Sequence, residues 1–524
     1  MSSTNQSSES LEVENGSGLD KCHGVEDWGE STATNSVHSD NRFNQDSLDA
    51  VQPKKEKQVQ FSPTSFRLLK AYRKGLKRTS SQKIIDPAIG KPTAKETSEG
   101  LSIEEIIRIA GKRFVRTLTK PVNFASMHNH HIDVCYSGLS TEDAERVHLV
   151  GLLLKSADKV GNQQYDCANI LLDECDGLSS CTGNAVERIV YYFSEALRER
   201  INRQTGRIPS QDLEKLKSFN IDEQIMAPTA SLLACYRGVP FHQVAHFAGI
   251  QAIVENVAEA KKIHMIDLGI RFGDHWTCLM QALASRSECP LEQFKITAIG
   301  TTKRQLIEDT GKRLEEFSET ICLPFCFKIV MVSDILDLKE DLFELDDDET
   351  VAMYSGYFIR TLIPLPDRLD SMMKVIRNLN PCIMVVIEPE VYTSSPSFVN
   401  CFIEALFYFS AYFDCLEACM GDDPNRIIIE SSHFGDAIRN NVATELGERK
   451  SQCSNLNVWG RLLARFGMEE TELSSSSLCQ GNLVAKTFAG GNSCVLDMDG
   501  KSLLIGWKGR PMISLSSWKF ISRK

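Results

Sequence analysis

The chain changes rhythm twice. From 140 to about 261, apolar residues recur at three- and four-residue spacing, the period of one helix face. Ser140 and Asp143 open a helix with Val147, Val150, Leu154 and Ala157 in line. Another runs through Val186, Ile189, Val190, Phe193 and Leu197; later ones carry Leu232, Leu233 and Tyr236, then Ile250, Ile253, Val254 and Val257. Breaks at Gly161 and Asp176-Gly177 stop the leucines short of the three or four heptads of a coiled coil. The stretch therefore predicts a packed helical cap.

From 263 onward, short apolar runs alternate with helical periods. The predicted strands are 263–268, 294–300, 325–332, 350–357, 382–388 and 412–419. Helices are predicted at 274–286, 303–320, 335–344, 365–379 and 397–411, with more helix around 435–466. The end reads as all-β, with strands at 482–488, 494–498, 502–507 and 512–518 and a hairpin turn at Asp499-Gly500. Strand–helix alternation predicts an α/β fold. The expected form is a Rossmann-like, methyltransferase-like and mostly parallel sheet with a C-terminal antiparallel hairpin, plus the α-helical cap.

Upstream of the body the pattern fades. Residues 1–53 are rich in Ser, Asn, Glu and Asp, too polar to offset chain entropy, so 1–100 is expected to be a disordered arm. Within it, 54–83 holds ten bases and one acid; residues 1–50 hold ten acids and two bases. Lys54, Lys55 and Lys57, then Arg73, Lys74, Lys77 and Arg78, form two basic clusters. They read as a nuclear-import signal, a nucleic-acid tether or a plain solvated charge run. A short helix and linker follow over 101–133. Ser102 and Glu105 form a capping-box pair, and Ile103, Ile106, Ile107, Ala110, Phe114 and Leu118 make an apolar face expected to dock on the body.

The chain has 524 residues, is 42% hydrophobic and carries a net charge of −12. That leaves about −13 outside the two charged segments, which repels phosphate backbones unless a local basic patch exists. No run reaches the roughly 18 unbroken apolar residues of a membrane helix. Met1-Ser2-Ser3-Thr4-Asn5-Gln6 lacks a signal pattern, so a cytosolic or nuclear chain is expected. Most of the 17 cysteines, such as Cys278, Cys326, Cys382 and Cys401, sit in apolar runs and read as small buried hydrophobes. No C-x-x-C pair occurs, and His128, His130 and His131 fall in a polar linker, so no metal is expected.

Candidate chemistry is sparse. Residues 263–285 read as strand, glycine-containing turn and helix, the opening unit of a doubly wound sheet. Gly269 and Gly273 lack the three-glycine order of a dinucleotide fingerprint, and Arg271 and Phe272 put bulk where a pyrophosphate needs bare backbone. The second strand ends in Gly300-Thr301-Thr302, with no acid to hold ribose hydroxyls. An adenosylmethionine-dependent transferase is therefore the alternative reading, resting on Asp267-Leu268-Gly269, Ser333-Asp334 and the terminal hairpin. Glu388 and Glu390 sit at a strand end suited to acid–base work, though capping or salt bridging is the simpler role. His264, inside a strand, reads as a satisfied core histidine, and His275 is the better placed of the two for a site. Leu149-x-x-Leu152-Leu153 has the spacing of a co-regulator-docking helix but fits core packing better. Gly500-Lys501-Ser502 mimics a P-loop end without its first glycine. Asp346-Asp347-Asp348-Glu349 reads as a solvated acidic turn.

One ordered set of motifs goes further. Ile263-His264-Met265-Ile266-Asp267 resembles the "VHIID" signature of the plant GRAS family of transcriptional regulators. Asn380-Pro381 through Glu390 and the 398–416 stretch resemble its "PFYRE" region; Gly447-Glu448-Arg449, Trp459-Gly460-Arg461, Trp507, Arg510-Pro511 and Ser517-Trp518 resemble its later elements and closing "SAW" region. The resemblance spans 134–522: leucine repeat I at 141–201, the VHIID region at 232–297, leucine repeat II at 313–345, PFYRE at 354–451 and SAW at 454–522. Departures are Gly435-Asp436 where the family has Arg-Glu, Ser517 where it has Ala, and no Asp-Glu-Leu-Leu-Ala segment. The resemblance implies a nuclear regulator or co-regulator, scarecrow-like or DELLA-like, without catalysis or cofactor. It would bind other transcription regulators, pair as a homo- or heterodimer through the cap, and contact DNA sequence-specifically, either directly or through a partner.

Overall fold

A computed structural model describes residues 101–119, 138–207, 230–302, 304–449 and 451–521, all in the unit Val59–Lys524. The arm with its basic clusters, His128, His130, His131 and the Leu118 side chain lie outside the described residues.

Helices α1 (Ile103–Thr119), α2 (Thr141–Gly161), α3 (Tyr165–Leu178), α4 (Ala185–Gln204), α5 (Ala230–Gly238) and α6 (Pro240–Asn256) come first. Local chemistry starts several of them. Ser102 and Glu105 form the reciprocal cap of α1, the Ser140 hydroxyl accepts from the Asp143 amide, and Asn184 accepts from the Val186 and Glu187 amides. Docking of α1 buries Ile103, Ile106, Ile107, Ala110 and Phe114. Leu149, Leu152 and Leu153 are also core residues, so the docking-helix spacing is a packing pattern.

Then strands and helices alternate: β1 (Lys262–Asp267), α7 (Asp274–Ala284), β2 (Gln293–Gly300), α8 (Arg304–Thr320), β3 (Phe325–Met331), β4 (Thr350–Gly356), α9 (Ile359–Leu362), α10 (Pro366–Leu379) and β5 (Ile383–Pro389). The chain continues through α11 (Phe398–Met420), α12 (Pro424–Ile428), α13 (Gly435–Val442), α14 (Leu456–Arg465), β6 (Met468–Thr471), α15 (Ser475–Ala485), β7 (Cys494–Asp499), β8 (Ser502–Trp507) and β9 (Arg510–Phe520). The sheet order is β3-β2-β1-β4-β5-β9-β8-β7, with β6 paired to the end of β9. Strands β1 to β5 are parallel; β9, β8 and β7 run antiparallel. This is the expected Rossmann-like plan.

Side-chain alternation along each strand splits the core in two. Ile263, Met265, Phe294, Ile296, Ala352 and Val385 join the core shared with the cap. Ile266, Leu268, Ile299, Met353, Met384 and Val386 join a second core with α10, α14 and Trp518. The last cap-region helix, α6, lies on the sheet, where a Cβ at Gly249 would come within 3.0 Å of Val385.

Three expectations fail, and one strand has no counterpart among them. Residues 412–419 belong to α11: this helix is buried nearly all round, so its C-terminal apolar run shows no helical stripe to tell it from a strand. By length and composition α11 could cross a membrane, yet 83% of its most apolar stretch is buried inside the protein. Residues 482–488 mostly fall in α15, whose start is fixed by Ser474 accepting from the Ser477 amide. The 335–344 helix is two 3-10 turns, because Asp334 caps the first and Lys339 is extended between them. Strand β6 went unforeseen; its sequence, Met-Glu-Glu-Thr, carries no apolar run.

The cap is tied to α11 and its neighbours by ions as well as by aromatic packing. Phe193 stacks edge-on against Phe402 at 5.3 Å. Arg188, 1% exposed, donates to Glu430 at 2.9 Å, to Glu417 at 2.5 Å and to the Gly183 carbonyl at 2.7 Å. A buried ion pair is costly to break from one side, because the abandoned charge stays desolvated. Arg188→Met is expected to cost about 3 kcal/mol, with Arg426 at 3.8 Å from Glu430 limiting the loss. Adding Glu430→Met should recover most of it. Urea unfolding of the full chain, followed by circular dichroism, checks both.

Candidate functional site

Parallel α/β sheets hold ligands outside the carboxyl ends of their strands, where the strand order reverses. Here that point lies between β1 and β4, and the Ile263–Asp267 motif ends there. Asp267 is buried, and both of its oxygens are engaged: one accepts from the Gly269 amide at 3.0 Å, the other from the Trp276 indole at 2.9 Å. The carboxylate thus clamps the turn after β1 to α7. Burial pushes its pKa up to about 6 against those two hydrogen bonds. His264 points to the opposite face and contacts Thr297 at 2.7 Å and Glu349 at 3.1 Å; Lys295 reaches the same Glu349 at 2.7 Å. His264 is a satisfied core histidine. Glu349 is 1% exposed, so only the earlier part of the acidic turn is solvated.

The turn is also pinned from the side. Thr310 and Arg313 of α8 donate to the carbonyls of Arg271 and Phe272, at 3.1 and 3.0 Å. Gly273 has φ +68°, and a Cβ there would meet the Thr310 methyl at 2.8 Å, so this glycine serves packing and backbone conformation. Phe358 lies over Gly269. The backbone that a pyrophosphate would need is covered. Beyond β2, Ile307 and Met331 crowd Gly300.

What remains is a cavity of about 50 Å³ under α5 and α6, lined by Tyr236, His242, His246, Arg271, His275 and Tyr354, among others. Cofactor pockets run to about 300–1,000 Å³, so an adenosyl group does not fit in this conformation. The lining is aromatic and close-stacked: His246 lies 4.4 Å from His275, and His275 lies 5.1 Å from Tyr354. The Tyr357 hydroxyl hydrogen-bonds His242 Nδ1 at 2.7 Å, with Arg271 and Arg360 at 5.5 and 5.9 Å from its ring. Tyr357 has φ +62°, a strained conformation that costs about 1–3 kcal/mol and clusters at functional sites. Burial, helped by Arg271, His433 and Arg360, lowers His242 to about 3; burial alone lowers His275 to about 3. Burial and then Arg360 lower Arg271 to about 10.

Other singled-out residues lie elsewhere. Glu388, raised to about 7 by burial, accepts from the Arg360 amide at 3.2 Å; Glu390, also raised to about 7, accepts from the Leu456 amide at the start of α14 at 2.9 Å. Trp459 and Trp518 pack in the second core, and Trp507 packs in the first and donates to Asp414 at 2.5 Å. Arg510 is buried and reaches Glu404 at 3.4 Å, Pro511 opposes Gly506 at a bulge, and Arg461 is exposed on α14. Asp436 pairs with Arg439 on its own helix. Ser517 fills its alanine-like position by donating to the Thr471 carbonyl at 3.0 Å. Asp334 caps a turn and pairs with Arg368. The described cysteines are free thiols: Cys401 is buried and Cys278, Cys326 and Cys382 are half-buried. The motif residues thus do not converge; only Asp267 borders the cavity's turn. Sequence reasoning found Arg271 and His275 but missed His242, Tyr354 and Tyr357, whose isolated positions carry no spacing signal.

A model of the GRAS domain family matches residues 149–519. DELLA protein RGL1 of Arabidopsis thaliana is 31% identical over 374 residues, which is 71% of this chain and 70% of that protein. DELLA protein GAI1 of Vitis vinifera is 29% identical over 382 residues, 72% of this chain and 62% of that protein. The match thus spans 62% to 70% of these two relatives' own lengths. The crystal structure of SCL7 in Oryza sativa superposes with a TM-score of 0.61 at 24% identity, covering 71% of this chain and 99% of that one, and so shares the fold.

Asp267→Ala strands two buried donors and is expected to lower stability by about 2–4 kcal/mol, with loss of near-ultraviolet tryptophan dichroism. The histidines give a pH dependence. Unfolded histidine takes up a proton near 6.5 and folded His275 only near 3, so stability falls as pH drops through that window. Asp267, Glu388 and Glu390, raised in the fold, oppose this trend, since their contribution is present below about 4 and is lost as pH rises through about 6–7. Replacing His275 by Gln should cut the slope of unfolding free energy between pH 6 and 5 by about 1.4 kcal/mol per pH unit, read from urea curves.

Proposed function

The chain belongs to the GRAS domain family, whose members regulate plant transcription, and we propose that it is a nuclear transcriptional regulator that works by binding other regulators. The observation that carries this reading is the family match across nearly the whole folded body, 149–519.

Physical features support it. The turn after β1 is occupied by protein side chains, which favours a scaffold without catalysis over a transferase. The acidic body disfavours broad contact with DNA phosphates, so DNA contact falls to a local patch, the basic arm or a partner. Ile170 and Leu178 are 69% and 50% exposed on α3, which suits pairing of the cap with a second regulator or a second copy. Lys54, Lys55 and Lys57 with Arg73, Lys74, Lys77 and Arg78 supply the import signal in this reading.

Three measurements test it. Fused to a heterologous DNA-binding domain in plant cells, the full chain should change expression of a reporter carrying that site; an unchanged reporter counts against regulation. A fluorescent fusion should be nuclear, and alanine at the seven basic positions should shift it to the cytoplasm. Calorimetry with adenosylmethionine should give no saturable heat, whereas micromolar binding would revive the transferase alternative.

A further inference from the structure

We propose that the cavity between β1 and β4 binds the carboxylate of a small organic acid. It is a different surface from the outer faces invoked above.

Arg271 lies half-buried beside the cavity, with Arg360 close behind. The Arg360 guanidinium donates to the Tyr357 carbonyl at 3.3 Å and to Cys453 Sγ at 3.6 Å, and Glu388 accepts from the Arg360 amide; among the described residues no carboxylate pairs with either guanidinium. Three polar atoms here are buried without a hydrogen-bond partner: Arg271 Nε, His275 Nε2 and the Tyr354 hydroxyl. His275 is 8% exposed and Tyr354 2%, and both line the cavity. Orphaned buried donors are rare in native folds, and several around one void point to a missing acceptor. The N-terminus of α7 also ends there, through Asp274 and His275, and adds partial positive charge. Asp274 brings an opposing carboxylate to the rim, which disfavours a dianion more than a monoanion.

Size and lining choose the class. A void of about 50 Å³ holds roughly three to five water-sized groups, enough for a carboxylate and its adjoining carbons. Leu232, Tyr236 and Phe272 supply apolar wall for the acid's body. A planar carboxylate matches the fork of a guanidinium; phosphate would leave the apolar wall unused.

The full chain should be titrated with acetate, propionate and inorganic phosphate, followed by calorimetry and thermal unfolding. Propionate is expected to bind saturably and raise the unfolding midpoint, acetate to do so more weakly, and phosphate not at all. Arg271→Met should weaken propionate by roughly tenfold or more, and Tyr354→Phe by a smaller factor. Tyr354→Phe should not lower the unliganded midpoint, because the hydroxyl it removes has no partner. Failure of both carboxylates to bind, binding indifferent to both variants, binding of phosphate alone, or a lower unliganded midpoint in Tyr354→Phe would each overturn the proposal.

Discussion

One buried carboxylate holds the centre of this molecule. Asp267 takes the Gly269 amide and the Trp276 indole, and so fixes where β1 stops and α7 begins. Buried charge is tolerated only when it is hydrogen-bonded, and both oxygens here are engaged. Thr310 and Arg313 then fasten the same turn to α8. A segment that in nucleotide-binding relatives of this architecture stays open for a ligand is here closed by the protein's own groups. The motif that marks the family in sequence is, in this chain, a structural lock.

The rest of the fold is arranged around burial on both faces of β1. Ile263 and Met265 face one core, Ile266 the other, and His264 is hydrogen-bonded to Thr297 and Glu349. The long apolar α11 carries the first core outward to the cap, with Tyr408 donating to the Met512 carbonyl on the sheet side and Phe402 against Phe193 on the cap side. Cap and sheet therefore share one continuous interior, and Arg188 with Glu430 adds a directional contact where packing alone leaves rotation free. Such an integrated body suits a rigid platform whose outer faces meet partners.

The same architecture leaves one place unsettled. At the strand-order reversal, Tyr357 is held at a strained φ between two arginines, and three polar atoms lack partners. Strain and unmet polarity cost stability and persist where something else repays them. The carboxylate pocket proposed here lies beneath α5 and α6, and α6 is itself covered by α15, so the pocket is separate from the outer faces proposed to meet partners.

The sequence by itself determined the order of layers. Strand runs at 263–268 and 294–300 and the Asp499-Gly500 turn follow from local periodicity, and the Ser102 to Glu105 cap follows from four neighbouring residues. It misplaced 412–419 because a helix buried on all sides has no polar stripe, and 482–488 because the cap at Ser474 lies outside that apolar run. It took Glu349 for a solvated residue because its burial depends on Lys295 and His264, on two other strands. Only tertiary structure decided the cavity: His242, His275, Tyr354 and Tyr357 come from α6, α7 and the end of β4, and their meeting depends on strand order rather than spacing. Short-range energies write periodicity into a chain; the balance of charge and space at a site arises only when distant segments desolvate one another.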